Sequence, residues 1–106
     1  MKQVTLLVIV EENDDSYAST TTKISKFASQ EDARKFIIDK LCEDFSLPSW
    51  RCNTLAHIAN ELSFDGIQSG VEGDCDGDTE FWWSDNGKGE RFSIITLENN
   101  GNFVTI

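Results

Sequence analysis

Apolar residues recur along this chain at changing periods, and each change of period marks an element. Val4-Thr5-Leu6-Leu7-Val8-Ile9-Val10 is apolar and β-branched on both alternating sets, the pattern of a central strand covered on both faces. Glu11 to Ser16 is turn chemistry, and Tyr17 to Phe27, rich in Thr, predicts a second strand folded back on the first. Its Lys23 and Lys26 are charges of the kind that protect a sheet edge. Ser29 then predicts a helix cap, with Glu31 and Asp32 in the first turn, where negative charge suits the helix dipole. Ala33, Phe36, Ile37, Leu41 and Phe45 follow at three- and four-residue spacing and make this helix amphipathic.

Ser46-Leu47-Pro48 ends that helix, and Ser49 is positioned to cap a second one with a stripe of Leu55, Ile58, Ala59 and Leu62. Asp65-Gly66 closes it. Gly66 to Gly77 reads as a loop, with a short strand at Ile67. Phe81 to Ser84 is a strand, Asp85 to Gly89 a turn and Arg91 to Glu98 a strand. Asn99-Asn100-Gly101 is a further turn, and Asn102 to Ile106 a final strand. The expected fold is α+β in one domain over residues 1–106: an antiparallel sheet of about five strands, ordered β-β-α-α-β-β-β, with two helices packed on one face.

Parity along Phe81-Trp82-Trp83 sharpens this. Phe81 and Trp83 share one face of their strand and Trp82 takes the other, so one of the two Trp side chains must lie outside a core built on a single face. Trp50 is expected to lid the core near the second helix.

Charge changes the picture most. Nineteen acids against nine bases leave a net −10. Eight of those acids (Glu61, Asp65, Glu72, Asp74, Asp76, Asp78, Glu80 and Asp85) fall between Cys52 and Gly87, a stretch without Lys or Arg. The remaining eleven acids face all nine bases. Such a balance argues against nucleic acid or an anionic membrane as a direct ligand, because both are held by Lys and Arg. It asks instead for a cation, either a metal ion or a basic protein surface.

Asp74-Cys75-Asp76-Gly77-Asp78 sets carboxylates at alternate positions on a glycine-containing loop, as calcium loops do. Against calcium stand Thr79 where the sharp turn needs Gly, Asp85 in place of the final Glu, and flanks that are not helices. Cys42, Cys52, Cys75 and His57 make the count of a zinc site without its spacing, and Cys42 reads as a small core residue on the first helix. His57 is the only histidine, and no nucleophile elbow or phosphate-binding loop accompanies it, so no enzyme and no cofactor is expected. Three cysteines cannot all pair, and the amino-terminal apolar run lacks a cleavage site and is too short to span a bilayer. A cytoplasmic protein is expected.

The leading expectation is a non-enzymatic inhibitor that binds the basic, nucleic-acid-binding surface of a partner protein, its carboxylates standing in for phosphates. Glu72, Asp74, Asp76, Asp78, Glu80 and Asp85 would supply steering and ion pairs, and Trp82 or Trp83 the desolvated anchor. Asp14 and Asp15 would extend this surface or lie away from it. In size and charge the chain is similar to phage-encoded inhibitors of host defence, the anti-CRISPR and anti-restriction proteins, and to toxin-immunity proteins. No motif carries residues over from either. The alternatives are a toxin-immunity role and a calcium module built on Asp74, Asp76 and Asp78. A homodimer through the doubly apolar first strand is also open.

Overall fold

The computed structural model describes residues 2–13, 19–48, 50, 52–73 and 78–99. Its elements follow the expected order: β1 (Lys2–Asn13), β2 (Ser19–Phe27), α1 (Gln30–Asp44), α2 (Leu55–Phe64), β3 (Gln68–Glu72), β4 (Thr79–Asp85) and β5 (Lys88–Asn99). The strands form one antiparallel sheet in the order β2-β1-β5-β4-β3, which leaves β2 and β3 as its edges among the described residues. The doubly apolar β1 is interior, paired with β2 on one side and β5 on the other.

Both helices cover one face. Leu7, Ile9, Phe81, Phe92 and Ile94 from the sheet form a single buried cluster with Ala33, Ile37 and Leu41 of α1 and Leu55, Ile58 and Leu62 of α2. Cys42 belongs to it too, as a small core residue. The second apolar set of β1 lines the opposite face, where Leu6 is buried and Val4, Val8 and Val10 are half-buried. No helix among the described residues is long and apolar enough to cross a membrane.

Helix α1 starts where its cap predicts. The Ser29 hydroxyl accepts the Asp32 amide at 3.1 Å, and Glu31 and Asp32 occupy the first turn. The second helix starts later than Ser49, which lies outside the described residues. Thr54 is the cap, extended at φ −136° and accepting the His57 amide at 3.1 Å. Trp50 is 79% exposed and lids nothing, because the chain approaches α2 through a turn in which the Cys52 amide bonds the Pro48 carbonyl and Cys52 takes the buried position. The stretch read mainly as loop contains β3, five residues paired with β4. The turn between β4 and β5 is only Asn86-Gly87, with φ of 51° and 82°, the positive pair that a tight type I′ hairpin uses. Of the turn expected at Asn99-Asn100-Gly101 and the strand at Asn102 to Ile106, Asn99 is still in β5 and the rest lies outside the described residues.

Candidate protein interface

The β3–β4 hairpin gathers the acidic stretch. Its register sets Gly70 opposite Trp82 and Glu72 opposite Glu80. Phe81 is buried on the helix side, so all four of these residues belong to the open face. The hairpin is pinched where the connection between its strands begins, as the Thr79 hydroxyl donates to the Gly73 carbonyl at 2.6 Å. A Cβ at Gly73 would stand 2.2 Å from the Asp78 carbonyl oxygen, so only glycine permits this approach. Asp78 is exposed, yet its Oδ1 accepts the Thr96 amide at 3.1 Å and ties the hairpin to β5.

Glu72 and Glu80 are therefore cross-strand neighbours of like charge at the acidic end of the sheet. Directly opposed like charges destabilise a sheet by a few tenths of a kcal/mol to about 1 kcal/mol. Arg91 of β5 donates to Glu80 Oε1. Both side chains of that ion pair are more than a third exposed, so it contributes little. Beside the acids, the Trp82 indole lies over Gly70. A Cβ there would meet Nε1 at 2.6 Å and Cε2 at 2.9 Å. Trp82 is thus the Trp outside the core, half-buried on the open sheet face.

The other expected site residues are scattered. Trp83 points to the helices, edge-on to Phe45 at 4.9 Å, and is part of the core packing. Asp85 sits at the far end of β4, opposite Lys88 across the tight turn. It lies seven positions on from Asp78 along an extended strand, about 20 Å or more away. Asp85 therefore cannot share a coordination sphere with Asp78, whose carboxylate is already turned to β5. Asp74, Asp76, Asp14 and Asp15 lie outside the described residues. Among the described residues no group of acids, cysteines and histidine is arranged to hold a metal. His57 is exposed, with Nδ1 2.8 Å from Asn53 Oδ1, whereas Cys52 is fully buried, so the two do not present a joint reactive face.

One constellation went unread in the sequence. Glu90 is only 9% exposed on the helix side, where Oε1 accepts Trp83 Nε1 at 3.0 Å and Oε2 accepts Lys40 Nζ at 3.1 Å. Lys40 also donates to Asp44 at 2.7 Å and stands 5.9 Å from the Phe92 ring centre. Burial pulls the Lys40 ammonium down, but the hydrogen bonds and charges of Asp44 and Glu90 outweigh it, and its pKa ends above the ordinary value. Burial, with smaller contributions from Cys52 and Asp39, pushes the Cys42 thiol up and makes it a poor nucleophile. The signal for Glu90 was parity. It precedes Phe92 and Ile94 by two and four residues and so had to share their inward face.

No family, curated protein or solved structure matches this chain. Function rests on geometry and charge alone. They leave an open acidic hairpin with an indole at its side, and a separate ion cluster that fastens α1 to the sheet.

Proposed function

We propose that this protein is a non-enzymatic binding protein of the cytoplasm that occupies a basic, nucleic-acid-binding surface of a partner through the acidic β3–β4 hairpin. The observation that carries the reading is the Glu72–Glu80 pair, two carboxylates set directly opposite on an open sheet face. No Lys or Arg lies between Cys52 and Gly87, and Arg91 of β5 offsets Glu80 only in part. Folds keep locally unfavourable arrangements where function needs them, and a row of carboxylates is neutralised when it meets a row of Lys and Arg. Glu72, Glu80 and Asp78 are the described members of that row, and the residues connecting β3 to β4 add Asp74 and Asp76. Trp82 is the aromatic at its flank, the residue type that anchors interfaces. Trp83 and Asp85 drop out of the set for the reasons of position given above. Cys42 and Cys52, buried and outside any disulfide, support a reducing compartment.

Competition tests the reading. Basic DNA- and RNA-binding domains, each holding a labelled oligonucleotide, are titrated with the protein at low and at raised salt. Displacement from at least one domain, weakening steeply between ~0.05 and ~0.3 M salt as the Debye length shortens, is the expected result. Failure to displace the oligonucleotide from any of them at low salt contradicts it.

A further inference from the structure

We infer that the free edge of β3 is a docking strand that takes an extended, Lys- or Arg-bearing segment of the partner by strand addition. The inference rests on the proposed function for the partner's charge, and adds how the partner is held. The two edges of the sheet differ in kind. β2 carries Lys23 and Lys26 along its nine residues, side chains that discourage a further strand from pairing. β3, Gln68-Ser69-Gly70-Val71-Glu72, has no base and no proline, and among the described residues no strand lies on its outer side. Two of its central residues, Ser69 and Gly70, are among the smallest available, so a second backbone can come close.

A cleft of about 560 Å³ opens along this edge. Ala59, Asn60 and Ser63 of α2 form one wall, Gln68 and Ser69 the other, and Trp82 closes one end. The Trp82 Nε1 lies over Gly70, at the side of this edge. An indole N–H at an open edge can donate to a carbonyl of an incoming strand, while the β3 backbone supplies the ladder bonds. Charge selects the occupant. Asp65 precedes the edge and Glu72 ends it, within the stretch that has no Lys or Arg. A second copy of this chain is the competing occupant, since its β2 edge is basic. A net charge of −10 on each copy opposes that association.

The test uses a capped peptide of alternating Thr and Lys, long enough to span β3, and its fully N-methylated analogue. The two carry the same charge, but the second cannot donate backbone hydrogen bonds. Binding is followed on the full chain by amide chemical shifts and hydrogen exchange. The expected result is slowed exchange confined to residues 68–72 and binding about tenfold tighter for the plain peptide, the worth of one or two net backbone hydrogen bonds. Trp82→Leu weakens the plain peptide and leaves the melting temperature close to that of the parent. Equal binding of both peptides overturns strand addition while leaving the acidic-surface reading standing. Binding of neither peptide at low salt overturns both. Protection of β2 in place of β3, or self-association through β3 without peptide, also overturns the inference.

Discussion

Replacing Glu72 by Gln isolates the interaction on which the functional reading turns. Glu72 and Glu80 face one another across the β3–β4 ladder. Side chains in that relation have Cβ atoms about 4.5–5.5 Å apart, and like charges there cost on the order of 0.2–1 kcal/mol. Coulomb's law agrees: two carboxylates about 6 Å apart in a water-like dielectric repel by roughly 0.7 kcal/mol. Arg91 relieves Glu80 in part, which places the expected value in the lower half of that range. Gln keeps the length and the hydrogen-bonding oxygen of Glu, so Glu72→Gln should stabilise the fold. For a domain of this size the melting temperature rises by roughly 1–4 °C, at ~4–8 °C per kcal/mol. Asp39→Asn, an exposed position on α1, controls for the change of net charge. The gain should fade near ~1 M salt, where the Debye length is about 3 Å. A fall in melting temperature on Glu72→Gln, or a rise no larger than that of Asp39→Asn, refutes the reasoning.

Other perturbations probe neighbouring parts of the account. Gly70→Ala should destabilise by about 1 kcal/mol, because the new methyl group displaces the Trp82 indole, and the loss should vanish in a Trp82→Val background. A denaturant double-mutant cycle reads this coupling. Asp78→Ala should cost about 1 kcal/mol or less and speed exchange of the Thr96 amide, with Asp78→Asn restoring most of the protection through its carbonyl oxygen. Lys40 has a raised folded-state pKa, so its contribution is complete below the ordinary lysine value of ~10.4 and is lost as pH climbs through the raised value. Denaturant midpoints at pH ~9 and ~11 should accordingly fall more in the parent than in Lys40→Met, a difference that reports the ammonium itself.

Much of the architecture was legible because local rules and tertiary packing agree. Ser29 with Glu31 and Asp32 marked the start of α1, and both alternating sets of β1 announced an interior strand. The parity of Phe81-Trp82-Trp83 put one Trp outside the core, and the helix-facing side of the sheet decides that it is Trp82. β3 was faint for a physical reason. Gln-Ser-Gly-Val-Glu has one strongly strand-forming residue, and it is strand only because β4 offers a ladder while Ser69 Oγ reaches the Ala59 carbonyl at 3.3 Å. Thr54 displaced Ser49 as the cap because the choice between two hydroxyl residues depends on where the chain turns into the core, which no local pattern encodes. The Glu90–Lys40 pair spans fifty residues of chain, and only the packing of α1 on the sheet brings the two together. The acids of the central stretch read as one block but fold to different places. Glu72, Asp78 and Glu80 share the β3–β4 hairpin, and Asp85 lies at the opposite end of β4.

The most direct test of the central claim keeps net charge constant and moves the place from which it is removed. One variant carries Glu72→Gln and Asp76→Asn at the hairpin. The other carries Asp39→Asn and Glu43→Gln, both exposed positions on α1. Each is titrated against a basic domain that the parent clears of its oligonucleotide. The account predicts about a tenfold or greater loss of competition for the hairpin variant, the scale of one lost charge pair at an interface. The α1 variant should compete within about twofold of the parent, since distant surface charge acts mainly through a screened field. Equal losses in the two variants would mean that only overall charge matters, and the β3–β4 hairpin would no longer be the interface.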